Sequence, residues 1–357
     1  MAEQSYFKRN WKLLLNIVTI VALVILIIAV HRQLLDTIDN LGKVHTWALL
    51  LLIPIELVNY HAQSKLYQRL FGITGEKLSY KYLYKLSLEL NFVNHIFPSG
   101  GVSGISYFGL RLRRDGIKGG KAALVQVMKL VLTFTSFELL LIVAMLILAS
   151  VGRASNLIIL IGTLLTTLIV VGTALGAYVV GDRGRVQAFF TTTTRLLNKL
   201  IQVVRPRHPE TISLAKARPA FDELHDNYNM FKSNLKALKA PFWYAGLMNL
   251  TEVLAVYVIY VAFGEWVNLG AVILAYAVAN FAGLVSVLPG GVGVYEGLMT
   301  LVLAAGGIKP AVSIPATVMY RVLNTLLQVP PGYYLYHQNL RRRYPNKEEG
   351  GPETIND

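Results

Sequence analysis

Two Gly-rich segments, each opening on a proline, interrupt apolar stretches of this chain. They are Pro98-Ser99-Gly100-Gly101-Val102-Ser103-Gly104 and Pro289-Gly290-Gly291-Val292-Gly293, 191 residues apart. Proline removes a backbone donor and glycine loosens the chain, so both break helices. The surrounding stretches are long enough to lie in a bilayer, where broken backbone survives only when protein or a polar cavity shields it. Of the 357 residues, 54% are hydrophobic and 15% charged, which is too apolar and too charge-poor for a soluble domain. The pattern predicts an all-α polytopic membrane protein. The chain has no cysteine, which excludes disulfides, thiolate catalysis and Cys-ligated zinc.

Apolar runs predict six full spans, at 13–30, 46–66, 121–150, 156–180, 241–263 and 311–336. Broken hairpins are predicted at 82–112 and 268–306, each carrying one of the motifs. The second arm of the first hairpin, Val102 to Arg111, would rise about 15 Å, half a bilayer core, which suits a re-entrant hairpin. Lys8-Arg9-Asn10-Trp11-Lys12 followed by Leu13 to Val30 looks like a secretory signal. That run ends on His31-Arg32 without a small-residue cleavage site, so it reads as an uncleaved first span. Residues 1–340 then form one integral membrane domain. Its one sizeable polar insert, 181–240, is interrupted by Arg205-Pro206-Arg207-His208-Pro209. Phe221, Leu224, Tyr228, Phe231 and Leu235 follow helical spacing there, as an amphipathic helix on headgroups or as a solvated linker. Residues 341–357 are predicted to be a disordered cytoplasmic tail.

Net charge is +14, and its distribution predicts orientation. With both termini in the cytoplasm, 28 of the 34 Lys and Arg fall on the inner side. Arg32, Lys43, Arg153 and Lys309 fall outside, and Lys129 and Arg321 lie within spans. The basic balance thus serves topology and anionic lipid rather than nucleic acid, for which no motif is present. The predicted location is the cytoplasmic membrane of the cell. This topology lets the two hairpins enter from opposite faces, as an inverted repeat requires.

A repeat is visible in the residues. Residues 98–132 align on 289–323 without gaps at 11 identities in 35, including Gly116-Ile117-Lys118 with Gly307-Ile308-Lys309. Composition alone would give on the order of three.

Ionisable groups inside spans cost several kcal/mol unless paired or hydrated, so each needs a reason. Thr317, Arg321, Asn324 and Gln328 form one polar helix stripe; Gln126, Lys129, Thr133 and Ser136 form another. A duplicated stripe with one cation suits an anionic headgroup or phosphate, and equally suits interhelical polar glue. Glu296 is the natural partner or competitor for Arg321. Glu138 and Glu252 read as structural, Glu56 and Glu89 as interfacial. The candidate binding set is Arg321, Lys129, Glu296, Gly100, Gly101, Gly290, Gly291, Gly293, Asn94 and Asn324, the glycines by freeing backbone N–H groups. Asn91, Asn94 and His95 precede the first motif and are placed to bond its freed backbone. No metal, hydrolase or nucleotide motif is present, so no catalytic residue, metal or cofactor is expected.

The segment Pro289-Gly290-Gly291-Val292-Gly293-Val294-Tyr295-Glu296-Gly297, with Tyr320-Arg321 downstream, resembles the lysylphosphatidylglycerol synthase transmembrane (flippase-like) family. Asn94-His95-Ile96-Phe97-Pro98-Ser99-Gly100-Gly101-Val102 is similar to that family's other signature, and the likeness runs over roughly 10–340. The resemblance implies a multispanning unit with re-entrant elements. In its best-known members, that unit moves an aminoacylated phospholipid between leaflets and precedes a soluble aminoacyl-transfer domain. No such domain follows here before Asp357, so lipid aminoacylation is not expected. The first motif continues with neutral Gly104-Ile105-Ser106-Tyr107 instead of an acid and a base, and Met128-Lys129 replaces an acid–Arg pair.

The resulting expectation is a lipid translocase, not an enzyme. It would move an anionic or aminoacylated phospholipid, or a polyprenyl-phosphate-linked lipid, between leaflets. The alternatives are a non-transporting scaffold or accessory subunit of cell-envelope glycolipid synthesis, and a small-solute transporter. The expected partners are membrane lipids with anionic headgroups. A separate lipid-modifying enzyme and a homo-oligomer stay open, and no nucleic acid is expected.

Overall fold

Pro54 shapes the entry to the first long helix. It has no N–H to give the Leu50 carbonyl, and the predicted span at 46–66 accordingly divides into α1 (Thr46–Leu49) and α2 (Leu52–Ile73). The computed structural model describes residues 35, 38–40, 42, 44–96, 102–152, 155–204, 228, 231, 233–285 and 293–343. Helices α3 (Tyr80–Ile96), α4 (Val102–Arg113), α5 (Gly119–Ser150), α6 (Asn156–Val180) and α7 (Arg183–Val204) follow. After a short 3₁₀ turn at Leu235–Leu238 come α8 (Lys239–Ala262), α9 (Leu269–Val285), α10 (Val294–Ala305) and α11 (Pro310–Arg343). All regular structure among the described residues is helical.

The chain is a polytopic membrane protein. Among the described residues, three stretches are long and apolar enough to cross a bilayer: α5, α6, and α8 together with the 3₁₀ turn before it. Helices α2 and α11, of 22 and 34 residues, have the length but carry polar faces. Those faces are turned inward: Glu56, Asn59, Gln63 and Ser64 on α2 are buried, as are Thr317 and Gln328 on α11. Exposed Ile53, Leu57 and Val58 cover the other side of α2. The run at 13–30, the tail after Arg343 and most of the insert at 205–232 lie outside the described residues. Of the insert's proposed apolar stripe, Phe231 is buried among Leu66, Tyr67 and Phe108. Asp182 opens the insert by capping α7, accepting from the Arg185 amide at 2.9 Å. That bond holds the exposed Asp182 carboxyl below its ordinary range.

The described helices stop before both motifs, resuming within the first and after the second. α3 ends at Ile96 and α4 begins at Val102; α9 ends at Val285 and α10 begins at Val294. Gly100, Gly101, Gly290 and Gly291 lie outside the described residues.

The repeated triplets make the same turn twice. Gly116 and Gly307 have φ of +82° and +91°, a conformation only glycine adopts freely. Ile117 N–H bonds the Leu112 carbonyl at 3.1 Å, and Ile308 N–H bonds Leu303 at 2.9 Å. These atoms are equivalent under the 98–132/289–323 alignment, and each turn is a helix C-terminal cap feeding the next helix. Helices α2 and α8 also end alike, with Glu76 N–H on the Phe71 carbonyl and Glu265 N–H on Tyr260.

Packing follows the same order. α2 lies along α8, α3 lies along α11, and α9 lies along α5. Gly332 permits the α3–α11 approach, because a Cβ there would meet the Leu88 carbonyl oxygen and Phe92 Cβ at 2.5 Å. Buried Glu89 draws three helices together. Tyr107 donates to its Oε2 at 2.6 Å, Asn339 donates to its Oε1, and Arg111 Nε lies 3.6 Å from Oε2. One carboxylate thereby ties α3, α4 and α11.

Gly332→Ala should destabilise the detergent-solubilised protein by about 1–3 kcal/mol through overpacking. Gly72→Ala, whose new Cβ meets nothing within 4 Å, should be neutral or slightly stabilising. Thermal unfolding of the two variants side by side measures this.

Candidate functional site

The second motif ends on Gly293, with φ of +86°, and this residue caps α10. Its N–H donates to Glu296 Oε2 at 2.7 Å. Arg321 Nη1, reaching across from α11, donates to Glu296 Oε1. The Arg321 guanidinium carbon also lies 5.0 Å from the centre of the Tyr295 ring. Glu296 therefore does two jobs at once: it satisfies the first free amide of α10 and neutralises the cation on α11. The Glu296 and Arg321 side chains are only 9% and 16% exposed.

The first broken pair approaches the same cation. His95, in the last turn of α3, places Nδ1 2.9 Å from the Asn91 carbonyl oxygen, and its ring lies within electrostatic reach of Arg321. Asn94 packs its amide against Gly104 of α4, a contact that leaves no room for a Cβ. Arg321 thus stands between the end of α3 and the start of α10.

Lys129 lies at a separate subsite. Its Nζ is 5.1 Å from the centre of the Tyr67 ring, and its charge acts on Glu252 of α8. Lys129 and Arg321 follow their prolines by 31 and 32 residues, so Lys129 aligns with Tyr320. One residue turns a helix by about 100°, which is enough to aim the two cations at different neighbours. Tyr320 in turn donates to Glu252 Oε2 at 3.1 Å, and Asn59 Nδ2 donates to Oε1 at 3.2 Å. Asn59 Nδ2 also lies 2.9 Å from Thr251 Oγ1. Tyr295, beside Arg321, lies within electrostatic reach of Glu252 and links the two subsites.

Asn324 turns inward as the stripe predicts, where it accepts from Gln328 Nε2 at 3.0 Å. Thr317 meets Tyr260 Oη at 3.3 Å. In the Lys129 stripe, Gln126 accepts from Tyr67 Oη at 3.2 Å, and Ser136 accepts from Asn249 Nδ2 at 2.8 Å. A groove of about 480 Å³ lies elsewhere, between α2 and α3, lined by Leu57, Val58, His61, Tyr84, Lys81 and Lys85 among others.

The weight carried by Glu252 is what sequence reasoning missed. Read alone, it is one acid in an apolar helix. Its signal lay on the facing helix, where Glu56, Asn59 and Gln63 follow i, i+3, i+7 spacing and form a buried polar face.

The profile of the family described as lysylphosphatidylglycerol synthase TM region matches residues 13–332. The chain belongs to this family. It is also similar to proteins described as UPF0104 membrane protein from Methanothermobacter thermautotrophicus. One match is 28% identical over 109 residues, covering 30% of this chain and 32% of the relative. Another is 35% identical over 81 residues, covering 23% and 24%. The chain thus spans about a third or less of the length of these curated relatives. No solved structure matches it significantly.

Removing one member of a buried pair strands the other. Glu296→Gln and Arg321→Met should each cost about 3–5 kcal/mol, and the double variant less than their sum. A double-mutant cycle on unfolding in detergent reads the coupling.

Proposed function

We propose that this protein is a lipid translocase for anionic headgroups, with Arg321 as the phosphate-binding cation. The observation that carries the reading is the position of Arg321: its guanidinium bonds Glu296 at the start of α10 and acts on His95 at the end of α3. A cation between two interrupted helices is where a headgroup phosphate gains most, because donors are concentrated there and water is scarce. In this reading the phosphate displaces the Glu296 carboxylate from Arg321. Glu296 keeps its bond to the Gly293 amide, which offsets part of the lost pairing. The acyl or prenyl chains stay in lipid.

The family supports a membrane unit of this kind. The shared turns at Leu112–Ile117 and Leu303–Ile308, and the paired packing of α3 on α11 and α9 on α5, support an inverted repeat with two re-entrant hairpins. The 28-to-4 charge asymmetry supports an orientation with both termini in the cytoplasm. Membrane lipids are then the partners, and no chemistry on the lipid is required of this chain.

A non-transporting scaffold is the second reading, favoured by the closed Arg321–Glu296 pair. A scaffold should leave no buried carboxyl group unsatisfied, however, and Glu56 Oε1 and Glu138 Oε2 are buried without hydrogen-bond partners.

Arg321→Ala should abolish translocation while the protein still inserts in the membrane, and Arg321→Lys should retain part of it. The measurement is lipid movement in reconstituted vesicles carrying labelled phospholipids or a polyprenyl phosphate. Full activity of Arg321→Ala rejects the assignment. Inactivity of the native chain on every lipid favours the scaffold.

A further inference from the structure

The lipid reading gives no role to two carboxylates, Glu56 buried and Glu252 half-buried, where α2 crosses α8. Glu56 is 8% exposed and lies within electrostatic reach of Glu252. Their surroundings differ. Glu252 accepts from Tyr320 and Asn59, one donor on each oxygen. Glu56 Oε1 accepts from nothing, while Gln328 of α11 and Tyr60, one turn along α2, stand beside the carboxyl group. Glu56 is thus a nearly enclosed carboxyl with unused hydrogen-bonding capacity, facing a second carboxylate.

The groups facing this pair come from every neighbouring helix: Tyr60 on α2, Tyr84 on α3, Lys129 on α5, Tyr276 on α9, Tyr295 on α10 and Tyr320 on α11. Lys129 is the one cation among them. With Arg321 matched by Glu296, two ionised carboxylates beside Lys129 would leave one uncompensated negative charge inside the bundle. Such a charge is costly in a low-dielectric interior, and one proton removes it.

We propose that Glu56 and Glu252 form a buried proton-binding site that holds one proton at rest, carried by Glu56. Glu252, supplied with donors and facing Lys129, is the ionised member. The proton is taken from water at one face and returned to water on release, so no other reactant is needed. The site stands on the burial of Glu56, its unpartnered oxygen, and the bond by which Asn59, one turn along α2, reaches Glu252. Its use as the ion that couples transport rests on the translocase reading above.

The test is infrared spectroscopy of the full-length protein, labelled with ¹³C-glutamate, in lipid nanodiscs at neutral pH. The native protein should show a protonated-carboxyl C=O band that Glu56→Gln removes and Glu138→Gln leaves. Absence of the band from the native protein, or its loss only in Glu138→Gln, overturns the proposal. If Glu56→Gln fails to fold, Glu56→Asp replaces it, and the band should shift in frequency. An unshifted band is equally adverse. A pH gradient across vesicles should drive net lipid movement by the native chain and not by Glu56→Gln. A gradient without effect, where lipid moves and the band is present, overturns the coupling role. Where no lipid moves at all, the translocase reading fails, and the infrared result still decides the proton site.

Discussion

Polar groups that this chain places between apolar helices must find partners inside the protein, and the Glu296–Arg321 pair meets that need at two places at once. One oxygen of Glu296 closes the first turn of α10 on Gly293, and the other holds Arg321. The broken backbone of the second motif and the cation of the last helix are stabilised by the same carboxylate. In water such a pair would contribute little. Between helices, losing either half leaves a charge with no solvent to replace it.

The same constraint organises the rest of the bundle. Glu89 gathers donors from α4 and α11, and Glu252 gathers them from α2 and α11. Helix α11 contributes to all three carboxylate centres through Asn339, Tyr320 and Arg321. Its many polar residues place it outside the helices apolar enough to span by composition, and those residues tie it to α3, α8 and α10. The glycines serve the geometry that this requires. Gly332 lets α11 reach α3, and Gly116 and Gly307 turn the chain identically after α4 and α10.

Much of the architecture was legible in the residues. The proline–glycine motifs mark where α3 gives way to α4 and α9 to α10, because backbone preference is local. The pairing of Glu296 with Arg321 could be anticipated, since a lone charge in an apolar helix demands an opposite one. The polar stripe of α11 was readable from helical periodicity. The separation of Lys129 from Arg321 was less so. A one-residue offset looks trivial in an alignment and becomes about a 100° rotation on a helix.

The sequence by itself determined that this chain enters a membrane as helices, where they break, and which side of each helix is polar. Those properties depend on composition and on spacing within one segment. The tertiary structure alone decided which polar face meets which. Glu56 and Glu252 are 196 residues apart, and nothing local distinguishes them from other buried acids. Only the crossing of α2 with α8 brings them within electrostatic reach, supplies donors to one and leaves an oxygen of the other without any. The physical reason is that the state of a buried charge is set by its neighbours through a low-dielectric interior, and those neighbours come from six different helices.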